Sequence, residues 1–404
     1  MTFAQEAGEP GQATESLPVQ HDKASIYDLA LLFLRLGATA FGGPAAHIAL
    51  IEHEVVRRKH WLTREEFLDL LGATNLIPGP NSTEMAIHIG WKRARWVGLT
   101  VAGLAFILPA ALIVLAVAWA YVRYGSRPEV VHLLYGVKPV IIAIIVQAIW
   151  RLGSKALRRV ELGLIAVLGI ASSAAGLNEL LVLFGGGVLA VLFRMTRDWQ
   201  RGTGEPTVPC VLTIAPLGAT AAGLTPGAAA PVGLAPLFLF FLKVGSVLFG
   251  SGYVLIAFLR TDLVQRWGWL SDTQLLDAIT VGQITPGPVF TTATFIGYVL
   301  AGIPGAALAT IGIFLPAFVF VAISGPLVPR LRRSALAGAF LDGVNATSVS
   351  LMTVVTWRLG QAALVDGLAI FLAVLSIVAL LRLPVNSLWL LLAGGMAGWV
   401  SKSI

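Results

Sequence analysis

The chain has 404 residues, 57% of them hydrophobic and only 12% charged, with a formal net charge of +7. Soluble proteins carry about 25% charged residues, whereas residues 96–122, 206–242 and 278–329 contain none. A membrane-spanning helix needs roughly 20 apolar residues, so these runs exclude a soluble globule and predict an all-α polytopic membrane protein. Nothing alternates in the segments of about 10 residues that an outer-membrane barrel would show. The basic residues cluster between apolar runs, the pattern that fixes loops on the cytoplasmic side, and this leaves no role for nucleic acid. Cys210 is the only cysteine, so no internal disulfide and no thiolate metal site is expected. There is no His/Cys cluster and no G-x-x-x-x-G-K-[ST] loop, so neither metal, cofactor nor ATP enters the expected mechanism.

In chain order, residues 1–25 are polar, with Glu6, Glu9, Glu15 and Asp22. They lack the basic start and apolar core of a cleavable signal and read as a disordered tail. The first apolar segment, from about Ile26, serves as the membrane signal. It carries Arg35 and breaks at Phe41-Gly42-Gly43-Pro44, with His47, Glu52 and Glu54 beyond. A second interruption follows at Ile77-Pro78-Gly79-Pro80, succeeded by Asn81, Ser82, Thr83, Glu84 and, one turn on, His88. Pro-Gly-Pro ends one helix by removing donors and crowding the preceding turn, and Asn81, Ser82 and Thr83 are good N-caps for the next. Continuous helices are then expected near 96–122, 130–150, 161–176 and 178–194, with Lys138 at the start of the second. A stretch rich in Pro, Gly and Ala, 201–235, reads as a linker.

After the linker the chain repeats itself. At an offset of 208, Thr285-Pro286-Gly287-Pro288 matches residues 77–80, Phe249-Gly250-Ser251-Gly252 matches 41–44, Lys243 matches Arg35, and Asp277 matches Asp69. At an offset of 207, Leu315-Pro316-Ala317 matches Leu108-Pro109-Ala110, and the run from Gly343 matches the run from Gly136, which sets Asn345 opposite Lys138. The halves are 26–200 and 236–404. Their loop charges alternate out of phase. Lys92, Arg93 and Arg95 face an uncharged loop at 299–305, while Arg330, Arg332 and Arg333 face the thinner Arg123 and Arg127. Homologous halves that cross in opposite directions give this pattern, so the prediction is an inverted repeat of about ten to thirteen membrane segments with broken or re-entrant helices.

Non-helical backbone at membrane depth is tolerated only inside protein or beside a water-filled cavity. A helix start there presents free N–H groups and the positive end of the dipole, which favour an anion. Paired breaks near the midplane are a transporter feature. The candidates for binding an anion are Arg35, Gly42, Gly43, His47, Pro78, Gly79, Asn81, Ser82, Thr83 and Lys138 in the first half. In the second they are Lys243, Gly250, Gly252, Gly287, Thr291 and Thr292. Carboxylates and imidazoles beside a transport path couple protons, which nominates Glu52, Glu54, Glu84, His88 and Asp262. The competing readings are plain ones: packing kinks for the breaks, snorkelling for the cations, and capping or ion pairing for the acids. A channel, or a membrane-embedded enzyme, would be the different kind of protein; no polar catalytic cluster stands out for the latter.

The motifs FGGPAAHIALIEHEVV (41–56) and WLTREEFLDLLGATNLIPGPNSTEMAIHIG (61–90), with their second copies FGSGYVLIAFLRTDLV and WLSDTQLLDAITVGQITPGPVFTTATFIGYVLAG, resemble the chromate ion transporters in their long, two-domain form. The resemblance covers nearly all of 28–402. It implies multi-pass insertion in the bacterial plasma membrane and efflux of chromate from the cytoplasm, giving chromate resistance. Sulfate is the natural look-alike for such a site. The bilayer and a chromate- or sulfate-like oxyanion are therefore the expected partners, and a homodimer is left open.

Overall fold

The structure, a computed structural model, describes residues 26–41, 43–200, 232–249, 254–383, 385 and 387–403. The tail 1–25, Cys210, nearly all of the linker, and Gly42, Gly250 and Gly252 lie outside the described residues.

Among the described residues every element is helical. The first half contains α1 (Ile26–Thr39), α2 (Gly43–Glu52) running on into a π-helical turn (His53–Arg58), α3 (Arg64–Thr74), α4 (Asn81–Tyr124), α5 (Pro128–Ala156), α6 (Val160–Ala174) and α7 (Glu179–Gln200). The second contains α8 (Leu234–Val247), α9 (Leu255–Leu259) with its π-helical turn (Arg260–Arg266), α10 (Asp272–Ile284), a 3-10 turn (Val289–Thr291), α11 (Thr292–Arg333), α12 (Ala335–Ala363), α13 (Gly367–Arg382) and α14 (Ser387–Ser403). The interruptions read from Phe41–Pro44 and Pro78–Pro80 are both present, and the four continuous helices fall where expected.

Local chemistry repeats with the sequence. α3 opens on a capping box in which Thr63 and Glu66 satisfy each other's backbone amides at 2.9 and 3.1 Å, and α10 opens on the same box from Ser271 and Gln274 at the same two distances. Such reciprocal caps supply partners for otherwise orphaned N–H groups. α4 and α11 each bend once. The bend in α4 lies at Ala94 and Arg95, and that in α11 at Ala301 and Gly302, 207 residues later. A short limb therefore runs back from each Pro-Gly-Pro loop before a long limb crosses the bundle.

Equivalent helices run in opposite directions. The Tyr135 hydroxyl, near the start of α5, donates to Asp366 at 2.5 Å, and Asp366 caps α13 just beyond the end of α12. Arg159, just past the end of α5, shares a cleft with Asp342 from the first turns of α12. Start meets end and end meets start, so the halves are inverted. Arg159, Arg194 and Arg197 line that cleft together at one end of the bundle, and Arg123 and Arg127 flank the α4–α5 turn at the other end of α5.

Among the described residues five helical runs are long and apolar enough to cross a membrane: α4, α5, α7, residues 289–324 and α12. α6, α8, α13 and α14 are apolar but shorter. The halves interlock. α6 and α7 of the first half pack on α12 of the second, α13 and α14 pack on α5, and α4 and α5 pack on α11 and α12 across the pseudo-two-fold. Lipid tails are as apolar as leucine, so helices associate here through close packing and interhelical hydrogen bonds. Gly136 of α5 lies against the backbone of Gly394 and Gly398, and Gly343 of α12 against that of Gly186. Ser350 Oγ donates across the halves to the Ala166 carbonyl at 2.8 Å, and Gln147 Nε2 to that of Leu380 at 2.7 Å.

Candidate functional site

Each Pro-Gly-Pro loop reaches the broken helix of the opposite half. The Gly79 amide donates to the Leu248 carbonyl at 2.6 Å, and the Gly287 amide to the Ala40 carbonyl at 2.9 Å. Donors and acceptors are both 208 residues apart, so one contact is the pseudo-symmetric copy of the other. Gly287 also rests on Ala110, two-thirds of the way along α4, and Gly79 on Ala317, the matching residue of α11. Both glycines have positive φ, +143° and +89°, a conformation that side chains resist. Four helix interruptions thus close on one another in the middle of the bundle.

The first half surrounds this junction with polar side chains. Pro80, not Asn81, is the N-cap of α4, in an extended conformation and with no side-chain cap. This corrects the expected capping by Asn81, Ser82 and Thr83. Proline forgoes only an N–H that a helix start would leave unpaired anyway, so the helix begins at once and the three residues become its first turn. All three are buried. Asn81 Nδ2 donates to Asn75 Oδ1 at 2.7 Å. His47, buried on α2, donates from Nε2 to the Ala40 carbonyl at 3.1 Å, which leaves Nδ1 to accept from Ser82 Oγ at 3.5 Å. The Ala40 carbonyl therefore takes two donors, one from each half. Thr83 Oγ1, both Glu84 oxygens and His88 Nε2 are buried with no hydrogen-bond partner among the described residues. Glu84 is 0% exposed, and its carboxylate lies where a Cβ on Gly79 would sit.

The second half is built differently at the matching place. Val289 and Phe290 replace Asn81 and Ser82, and the hydroxyls of Thr291 and Thr292 turn back to the carbonyls of Pro288 and Val289 at 2.8 Å. Its loop is anchored by its own backbone, while the first half leaves donor capacity facing the junction.

The basic candidates stand apart from the junction, each in an ion pair. Arg35 of α1 is 3.6 Å from Glu54, which also receives Arg58 at 3.1 Å. Lys243 of α8 is 2.6 Å from Asp262, which also receives Arg266 at 3.1 Å. These cation–carboxylate–cation groups match residue for residue at an offset of 208. They tie each broken helix to the segment that returns from it. Glu52 is half-buried beside the first of them, and Gly43 begins α2 at φ +76°. Lys138 of α5 pairs with Asp277 of α10 at 3.1 Å, and the Tyr121 hydroxyl donates to the same carboxylate at 2.9 Å. Neither Tyr121 nor Asp277 is among the sequence candidates. The available signal was the doubled aspartate, Asp69 and Asp277, at the same point of both repeats.

The chain is thus built from two inverted copies of one broken-helix unit, joined loop to break across its centre. The family model described as chromate transporter matches residues 27–191 and 235–399. The chain belongs to the chromate transporter family. It is 34% identical over 372 residues to a chromate transport protein of Cupriavidus metallidurans, covering 92% of this chain and 91% of the relative. It is 32% identical to a chromate transport protein of Pseudomonas aeruginosa, over 98% of this chain and 97% of that one. A probable chromate transport protein of Synechococcus elongatus is 30% identical over 87% of this chain and 89% of its own length. No solved structure matches. Chromate transporter sequence therefore fills both halves and stops on either side of the linker.

Proposed function

We propose that this chain exports chromate from the bacterial cytoplasm across the plasma membrane, so giving chromate resistance, and that the anion is held where the two Pro-Gly-Pro loops cross. The observation that carries this reading is the reciprocal pair of bonds from Gly79 to Leu248 and from Gly287 to Ala40. It concentrates helix starts, the natural seats of an oxyanion, in one buried place. The first turn of α4 offers the first ligands: the amides of Asn81 and Ser82, the Thr83 hydroxyl, the Asn81 side chain and, once it turns away from His47, the Ser82 hydroxyl. Gly287, Thr291 and Thr292 act as the hinge. Neutral donors bind a dianion without trapping it. Arg35, Lys243 and Lys138 contribute positive potential from a distance, because carboxylates already occupy their charge.

Export is downhill for such a cargo. Each elementary charge gains about 2.3 kcal/mol per 100 mV, so a dianion leaving an inside-negative cell gains ~4.6 kcal/mol. Glu84 is the coupling candidate with the most favourable placement, enclosed beside Gly79. Glu52, Glu54, His88 and Asp262 stand further from the loops or within ion pairs.

Flux into inverted vesicles, measured with chromate and sulfate in competition, tests the reading. Saturable chromate uptake driven by an imposed potential is expected. Saturable uptake of sulfate with chromate excluded would transfer the reading to sulfate. Uptake that fails to saturate would make the chain a channel.

A further inference from the structure

The halves share a sequence plan but not a conformation. α10 packs on α11 and α4 as its counterpart α3 packs on α4 and α11, but α10 packs in addition on α5 and α12, where α3 makes no comparable contact. α10 buries eight consecutive residues, 275–282; α3 buries only Phe67, Ala73 and Thr74. At the heart of the closed layer is Asp277, 2% exposed, held by Lys138 and Tyr121. The positions equivalent to Asp277 and Lys138 are Asp69 and Asn345, and both are exposed. Because the halves are inverted, the first layer seals the end of the bundle that bears Arg123 and Arg127. The equivalent layer would seal the opposite, strongly basic end.

In an inverted repeat, exchanging the conformations of the two halves converts a carrier sealed on one side into one sealed on the other. We propose that Lys138–Asp277 is one of two alternating latches of the transport cycle, and that Asn345–Asp69 is the second, closing when the first opens. This rests on the reading of the chain as an alternating-access carrier of an oxyanion. The latches are unequal at two positions, since Asn345 stands opposite Lys138 and Val328 opposite Tyr121 in the repeat. The first joins a cation to a carboxylate; the second joins a carboxamide to a carboxylate. The stronger latch sets the resting state, sealed outside and accessible to the cytoplasm, which is where a cargo for export must load.

Purified Cys210→Ser protein in liposomes tests this with a short, cleavable bifunctional thiol reagent. Lys138→Cys with Asp277→Cys is one pair, and Asp69→Cys with Asn345→Cys is the other. Each pair should crosslink, and a molecule tied at one should not be tied at the other. Adding Asn345→Lys to the first pair places a lysine at the position equivalent to Lys138. It should lower the 138–277 crosslink on the order of tenfold, a typical coupling for neighbouring charges, and Asp69→Ala should reverse that fall. As a check free of cysteines, Lys138→Asp and Asp277→Lys should each slow flux, and the double exchange should recover it. A 69–345 pair that never crosslinks in protein that moves chromate, or both pairs tied at once, overturns the latches and leaves the transporter reading standing. Latches that exclude each other in vesicles that move no chromate would uphold the latches and sink the cargo instead.

Discussion

Two glycines and one carboxylate dominate how the loop junction should respond to substitution. Gly79 and Gly287 occupy equivalent positive-φ positions, but their surroundings differ. A Cβ on Gly79 meets the end of the Glu84 side chain, which can move; one on Gly287 meets Ala110 and the Gly37 carbonyl, which cannot. A left-handed backbone costs a side chain about 1–2 kcal/mol in either place. Gly79→Ala should therefore raise the half-saturating chromate concentration several-fold with a modest fall in melting temperature, whereas Gly287→Ala should lower the melting temperature further and reduce the maximal flux. Saturation curves alongside thermal melts in detergent separate the two. Glu84 gives the second expectation. An ionised carboxylate enclosed without a counter-charge carries a penalty of several kcal/mol, so Glu84→Gln should fold at least as well as the parent. Its flux should no longer respond to an imposed pH gradient; a retained response would remove Glu84 from coupling.

At the scale of elements, what was legible in the sequence follows from how local each signal is. Proline and glycine write a helix break into adjacent residues, so the interruptions at Pro78–Pro80 and Pro286–Pro288 could be read directly. Self-comparison then exposed the duplication, and loop charge exposed its inversion. The crossing of each loop to the other half was not legible, because no periodicity connects Gly79 with Leu248. The ion pairs were hidden for a similar reason, although Arg35–Glu54 and Lys243–Asp262 share one spacing. The bends in α4 and α11 lie between these cases. Gly302 marks its bend, but Arg95 adopts φ +50° at the equivalent point without any such residue. Backbone strain of this kind costs on the order of 1–3 kcal/mol. Arg95→Gly should consequently raise the melting temperature while leaving flux within about twofold. The contrasting change, Gly302→Val, should lower it.

For the whole molecule, inversion makes a prediction about sidedness. Ala94 and Gly302 lie at equivalent bends but at opposite ends of the bundle. In intact cells of the Cys210→Ser protein, Gly302→Cys should react with an impermeant external thiol reagent and Ala94→Cys should be shielded. Equal labelling would contradict the inverted arrangement. The interlocked packing has a separate consequence. α5 is clothed by α13 and α14, and α12 by α6 and α7, so neither half keeps its central helix covered by its own chain. Cutting the gene within the linker should give two fragments that are degraded when made singly and restore chromate flux when made together. The same interlock constrains descent. A half-length forebear with this plan would have been viable only as a pair of copies inserted in opposite orientations. Fusion of two such copies frees them to differ, as Lys138 and Asn345 do at equivalent positions.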